Sequence, residues 1–92
     1  MSKKITLLLA DDHAVVRSGL RMLLEAQPDM EIIAEAESGA DAVAKVEDLQ
    51  PDIVLMDVEM PGMNGIAATE KIKEMGGETA VLLPPHDPTR WT

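Results

Sequence analysis

The sequence predicts an α/β domain built on a doubly wound parallel sheet of four strands. Short apolar runs alternate with longer segments of helical periodicity through residues 4–83, which is typical of parallel strands joined by crossover helices. Two of the runs, Ile5–Ala10 and Ile53–Met56, are apolar at nearly every position, as expected for strands that are buried on both faces. The element order is therefore predicted as β-α-β-α-β-α-β.

The first strand is predicted at about Lys4–Ala10 and the first helix at about Ala14–Ala26. The helix is indicated by apolar residues at i, i+4, i+7 and i+8 spacing, namely Val16, Leu20, Leu23 and Leu24. Arg17 and Arg21 fall on another face, which we expect to be solvated. The second strand is predicted at about Glu31–Ala36. In this strand Ile32, Ala34 and Ala36 point to one face and alternate with Ile33 and Glu35. Because Ile33 is also apolar, the apolar-polar alternation is only partial, which favours a position at the edge of the sheet.

The remaining elements follow from caps and turn formers. Ser38 is a candidate N-cap with Asp41 three residues later, and Gly76 and Gly77 are a plausible helix stop. The predicted elements are a helix to Leu49, a strand at Asp52–Asp57, a helix at Ile66–Met75 and a strand at Thr79–Leu83. Beyond them, residues 84–92 contain three prolines in nine positions. We therefore expect a domain over residues 1–83 and an irregular Pro-rich tail over residues 84–92.

Three aspartates follow two of the strands. A flavodoxin-like strand order of 2-1-3-4 would place strands 1 and 3 side by side, which brings Asp11, Asp12 and Asp57 together at the carboxyl edge of the sheet. Two unit charges about 4 Å apart repel by roughly 4 kcal/mol at an effective dielectric of 20. A hard cation such as Mg²⁺ would offset this repulsion, so the sequence predicts an acidic metal pocket.

Composition limits the classes of partner. The net charge is −9, with 17 acidic and 8 basic residues, which argues against direct binding of nucleic acid or of an anionic membrane. There is no cysteine, so no thiol chemistry is expected. The first apolar run is too short for a signal peptide and no run is long enough to span a membrane. We expect a cytoplasmic protein.

Several separated motifs agree in order and spacing with one family. They are Leu8-Leu9-Ala10-Asp11-Asp12-His13, Val16-Arg17-Ser18-Gly19-Leu20 and the segment from Asp52 to Gly65. Together they resemble the receiver domain of bacterial two-component response regulators, in particular the subfamily with a C-terminal helix-turn-helix output domain. The resemblance covers residues 4 to about 83 and implies a flavodoxin-like, CheY-like fold.

The resemblance also implies a site. Asp57 would accept a phosphoryl group from a sensor histidine kinase. Asp12 would bind Mg²⁺ directly and Asp11 through water, while Asp57 and the backbone carbonyl of Glu59 would complete the protein ligands. Such a domain is a signalling module rather than an enzyme, so we assign no catalytic residues. His13 is interpreted as a residue that starts the helix rather than as a ligand.

The chain departs from the family pattern after the fourth strand. Pro84 or Pro85 stands where receivers carry a Ser or Thr, and no strand 5 with its Lys follows. One alternative is thus a truncated or degenerate receiver that keeps the acidic pocket but not phosphorylation-driven switching, and that acts only through oligomerisation. Strand 4 would be an apolar edge, so we expect a second copy to cover strand 4 or the apolar faces beside it. A third, weaker hypothesis is a Mg²⁺-dependent phosphatase with Asp57 as nucleophile, although the distant Lys and second acidic pair of those enzymes are not found.

Overall fold

The structure is a computed structural model that describes residues 4–57, 62 and 64–83. Every predicted element is present, and each predicted end lies within one residue of the observed one. The elements are β1 (Ile5–Ala10), α1 (Ala14–Glu25), β2 (Met30–Ala36), α2 (Gly39–Leu49), β3 (Ile53–Met56), α3 (Gly65–Glu74) and β4 (Ala80–Leu82). The predicted Pro-rich tail lies outside the described residues. No helix among those described is both long and apolar enough to cross a membrane.

The four strands form one parallel sheet in the order β2-β1-β3-β4, so the predicted order is confirmed. At the amino end of the sheet, β1 and β3 are joined by a side chain. The Asp52 carboxylate accepts hydrogen bonds from the Thr6 backbone N–H at 2.8 Å and from its hydroxyl at 3.1 Å. At the other end, Ala10 pairs with Met56. These contacts hold the two central strands in one register, so that they end level with each other.

Each face of the sheet has its own apolar core. One core lies between the sheet and the pair α2 and α3, and its buried members are Leu8, Ala10, Ala36, Ala42, Val46, Val54, Met56, Ala68 and Ile72. The second core lies under α1 and is smaller. Its buried members are Leu7, Leu9 and Ile32, with half-buried Leu20 and Leu24 packed against them. Helices on both faces make the sheet doubly wound, as predicted.

Strand β2 contains a register shift that the sequence pattern did not reveal. Leu7 pairs with Ile32, but Leu8 pairs with Ala34, so Ile33 has no opposite residue on β1. An extra residue of this kind reverses the facing of the side chains that follow it. Ile32 therefore packs under α1, while Ala36 belongs to the core under α2 and α3. The predicted alternation, with both residues on one face, is wrong for this reason.

The predicted apolar stripe of α1 is only half buried. Leu20 and Leu24 pack against the sheet, whereas Val16 is 46% exposed and Leu23 is 69% exposed. Val16 and Leu23 stay exposed because α1 packs mainly against the edge strand β2 and not over the centre of the sheet. No residue of α1 is fully buried. The first helix thus leaves apolar surface uncovered on the face of the sheet where it lies.

Two helices begin at side-chain caps. The Ser38 hydroxyl accepts a hydrogen bond from the Asp41 N–H at 3.1 Å, which confirms the predicted cap of α2. The Asn64 side chain accepts from the Ala67 N–H at 2.9 Å and caps α3. Each bond satisfies one of the N–H groups left unpaired at a helix start.

Candidate functional site

The three aspartates meet at the carboxyl edge of the sheet. The Asp11 N–H donates to the Ala36 carbonyl at 3.0 Å, and the Asp57 N–H donates to the Ala10 carbonyl at 2.9 Å. Each of these aspartates is therefore tied by its backbone to a neighbouring strand. One carboxylate oxygen from each of Asp11, Asp12 and Asp57 and a ring nitrogen of His13 all lie within 4.8 Å of one another. We call these four residues the acidic cluster.

The backbone of His13 starts α1, and its ring lies in the acidic cluster. His13 is the residue that precedes α1 and its backbone is extended, in keeping with its interpretation as a helix-start residue. Its ring, however, lies among the carboxylates: Nδ1 is 2.9 Å from Asp11 Oδ1, 3.0 Å from Asp12 Oδ1 and 3.6 Å from Asp57 Oδ2. Sequence reasoning missed this placement of the ring, for which the adjacency of His13 to two aspartates was the available signal.

The carboxylates favour the protonated form of the His13 ring. The hydrogen bond to the Asp11 carboxylate raises the pKa of His13 above its ordinary value of 6.5, and the negative charges of Asp12 and Asp11 act in the same direction. The charge of Asp57 adds a smaller effect, and burial opposes it. The ring therefore lies against the same oxygens that would bind a metal ion.

Arg17 is part of the surroundings of the site, and its prediction as a solvated residue is wrong. Its side chain is only 13% exposed. The guanidinium donates from Nε to Glu35 at 2.9 Å, from Nη2 to Glu37 at 3.3 Å and from Nη1 to the backbone carbonyl of Asp11. The register shift in β2 explains the burial, because it turns Glu35 toward the α1 side of the sheet.

Arg21 shares one of these partners and remains closer to the prediction. It donates to the second carboxylate oxygen of Glu35 and lies 3.4 Å from Glu25. Its side chain is 39% exposed. Within the described part of the chain, the partners of Arg21 are Glu25 and Glu35 and not the aspartates of the cluster.

The residues present fit a magnesium ion. Carboxylate oxygens are the hard ligands that Mg²⁺ prefers, and opposite ligands of an octahedral Mg²⁺ lie about 4.2 Å apart, comparable with the spread of the cluster. The side chains of Asp11, Asp12 and Asp57 are 13%, 33% and 22% exposed. Partial exposure leaves room for the waters that Mg²⁺ usually retains. Glu59, the remaining predicted ligand, lies outside the described residues.

An apolar groove of about 380 Å³ runs from the acidic cluster over the α1 side of the sheet. Asp11, His13 and Asp57 form one end of it. The rest is lined mainly by aliphatic side chains, namely Leu9, Ala10, Val16, Leu20, Leu55, Met56 and Leu82. The groove lies between α1 and the strands β3 and β4, and among the described residues α1 is the one helix on this face.

Comparison with known proteins accounts for this arrangement. The sequence model of the response regulator receiver domain matches residues 7–84. The chain belongs to this family. The transcriptional regulatory protein LiaR of Bacillus subtilis (strain 168) is 48% identical over 80 residues, which are 86% of this chain and 38% of LiaR. The chain thus spans less than two-fifths of that relative.

Solved receiver domains share the fold. The response regulator domain of Thermotoga maritima CheB superposes with a TM-score of 0.84 at 38% identity, over 88% of this chain and 60% of the other. The signal receiver domain of NarL from Mycobacterium tuberculosis gives a TM-score of 0.88 at 29% identity, over 96% of this chain and 73% of the other. The resemblance identified from the sequence motifs and the predicted fold are both confirmed.

Proposed function

We propose that this receiver domain accepts a phosphoryl group on Asp57, with Mg²⁺ held by Asp11, Asp12, Asp57 and the backbone carbonyl of Glu59. The observation that supports this most directly is the meeting of three aspartates at the ends of β1 and β3. In a chain of the receiver family, that meeting supports the assignment of Asp57 as the nucleophile beside a cation site. The proposed donor is the phosphohistidine of a sensor histidine kinase.

For phosphoryl transfer, the protein has to position the acceptor carboxylate and to offset negative charge. A carboxylate oxygen of Asp57 forms the new bond to phosphorus, the phosphorus–nitrogen bond of the donor breaks, and its electron pair stays on the imidazole nitrogen. When bound, Mg²⁺ neutralises charge between the carboxylate and the phosphoryl oxygens. Asp57 is held by its backbone bond to Ala10, so the nucleophile projects from a fixed strand end. The domain acts as a phosphoryl acceptor and not on a diffusible substrate.

We also propose, for the alternative of a truncated or degenerate receiver, that copies of the chain associate through β4 or the apolar faces beside it. β4 is the outer strand of the sheet that the described residues form, and unpaired strand edges favour pairing with another chain. Leu82 is 50% exposed and Leu83 is 38% exposed, and Leu82 also lines the apolar groove. A second copy would cover the edge and part of the groove together.

Phosphorylation is tested with a small phosphodonor such as acetyl phosphate. The wild type is expected to become labelled only when Mg²⁺ is present, because the acceptor and the donor both carry negative charge. Asp57→Asn is expected to remove the label. Asp52→Asn is the matched control, because Asp52 lies at the opposite end of β3 and binds Thr6. Labelling that persists in Asp57→Asn would overturn the proposal, and turnover of a generic phosphate ester would support the phosphatase instead.

A further inference from the structure

We propose that Arg17 is a positioning residue for the acidic cluster. It acts by holding the backbone between Asp11 and Asp12, without touching the carboxylates or the phosphoryl group. This inference rests on the proposed function of the cluster as a metal and phosphoacceptor site. Its basis is the hydrogen bond that the Arg17 guanidinium donates to the backbone carbonyl of Asp11.

The bonded carbonyl belongs to the peptide group that joins Asp11 to Asp12. A peptide group is planar, so the direction of the Asp11 carbonyl also sets the direction of the Asp12 N–H. The Asp11 N–H is already bonded to Ala36 at 3.0 Å. With its carbonyl bound to Arg17, both backbone polar groups of Asp11 are held. The peptide that leads into Asp12 therefore cannot rotate freely.

The guanidinium is itself held in place. Glu35 binds Nε at 2.9 Å and Glu37 binds Nη2 at 3.3 Å, so three of its nitrogens have different partners. The planar guanidinium has a fixed fork of donors, and two acidic partners on β2 and just after it orient that fork toward the Asp11 carbonyl. Because Arg17 is only 13% exposed, solvent competes weakly for these bonds.

Arg21 provides a natural comparison within the same helix. It lies one turn further along α1 and binds the same Glu35 carboxylate. Among the described residues, Arg21 makes no contact with Asp11. Replacing either arginine removes one positive charge, one bond to Glu35 and one contact with a second glutamate, which is Glu37 for Arg17 and Glu25 for Arg21. Only replacement of Arg17 removes the bond to the Asp11 carbonyl. A comparison of the two therefore isolates the positioning effect from a general loss of charge or stability.

The test measures Arg17→Met beside Arg21→Met. Groups that orient metal ligands typically contribute about 10- to 100-fold to metal affinity, so Arg17→Met is expected to weaken Mg²⁺ binding by about 10-fold. Arg21→Met is expected to change it by less than about 2-fold. Arg17→Lys keeps the charge but lacks the fork, and it should also lose affinity. Binding is followed by Mg²⁺ titration of amide resonances.

A second measurement does not depend on the metal. The amides of Asp11 and His13 are both hydrogen-bonded in this turn, that of His13 to the Asp11 carboxylate at 2.7 Å. In Mg²⁺-free buffer, hydrogen exchange of these two amides should be faster in Arg17→Met than in Arg21→Met, relative to the amides of β3. Equal exchange and equal affinity in the two variants would overturn the inference. If the wild type binds no Mg²⁺, the proposed function fails, and the exchange comparison still decides the role of Arg17.

Discussion

The backbone N–H of Asp57 donates to the carbonyl of Ala10 at 2.9 Å. This bond continues the pairing of β3 with β1 by one residue beyond their last paired positions, Ala10 and Met56. As a result, the proposed acceptor stands beside the turn that carries Asp11 and Asp12, although more than forty residues of chain separate them. The acidic cluster is thus a consequence of strand order, and its electrostatic properties can be tested directly.

Magnesium should stabilise the fold. A ligand that binds only the native state adds about 1.4 kcal/mol at ten times its Kd, which is roughly 6 to 11 °C in Tm for a domain of this size. Asp12→Ala should abolish the response, because it removes a carboxylate of the cluster. Differential scanning calorimetry with and without Mg²⁺ measures the effect.

The matched control for this measurement is Asp48→Ala, an exposed acid in α2 outside the cluster. It makes the same chemical change and should keep the full Mg²⁺ response. If Asp12→Ala responds to Mg²⁺ as strongly as Asp48→Ala, the ion binds elsewhere and the assignment of the cluster as the metal site is wrong.

Stability in Mg²⁺-free buffer should fall as the pH rises through the pKa of His13. Asp11 and Asp12 raise that pKa in the folded state, so the folded protein holds the proton more tightly than the unfolded chain. The contribution is fully present below the unfolded pKa of about 6.5 and is lost as pH passes the raised, folded value. His13→Asn should remove this part of the Tm profile.

His86→Asn changes the only other histidine of the chain and serves as the control. Its Tm profile should follow that of the wild type from about pH 6 upward. Two results would contradict the placement of the His13 ring among the carboxylates. One is a wild-type Tm that stays flat over this range, and the other is a Tm that rises with pH in the wild type but not in His13→Asn.

Two leucine substitutions test the unequal burial of the structure. Leu8 is fully buried and Leu23 is 69% exposed. Leu8→Ala should lower the free energy of unfolding by about 2 to 5 kcal/mol, the usual cost of an emptied core site. Leu23→Ala should change it by no more than about 0.5 kcal/mol. Urea denaturation gives both values, and a large loss for Leu23→Ala would show that the outer face of α1 is covered in solution.

Association through β4 should respond to salt. Each copy carries a net charge of −9, so added salt, which screens repulsion between copies, should strengthen a contact built on apolar surface and strand pairing. Leu82→Lys should weaken it, whereas Leu23→Lys places the same charge on an exposed leucine of α1 outside the groove. Sedimentation at tens of micromolar decides: a monomer at both low and high salt would exclude the proposed contact.

The order of the elements and of the strands was predictable from the sequence. The apolar runs of β1 and β3 indicate buried parallel strands, and the crossover rule then leaves few topologies. The register shift at Ile33 was not predictable, because Ile32, Ala34 and Ala36 fit an uninterrupted alternation equally well. The shift depends on the pairing of Leu7 and Leu8 with the neighbouring strand, which is a tertiary property.

The same distinction applies to the site. Asp11, Asp12 and Asp57 were predicted to meet because strand ends are set by topology. The burial of Arg17 was missed, since its partners Glu35 and Glu37 lie on and beside another strand and face it only because of the register shift. Helical spacing predicts that Arg17 and Arg21 lie on the same face of α1. It does not indicate that Arg17, rather than Arg21, binds the Asp11 carbonyl.

The central claim is that Asp57 receives the phosphoryl group in a Mg²⁺-dependent reaction. The most direct measurement treats the wild type with acetyl phosphate, reduces any aspartyl phosphate to homoserine with borohydride and locates the homoserine by peptide mass spectrometry. We expect homoserine at position 57 when Mg²⁺ is present and none when Mg²⁺ is chelated. Homoserine at another aspartate, or none at all under conditions that modify another receiver domain in parallel, would show that Asp57 is not the acceptor.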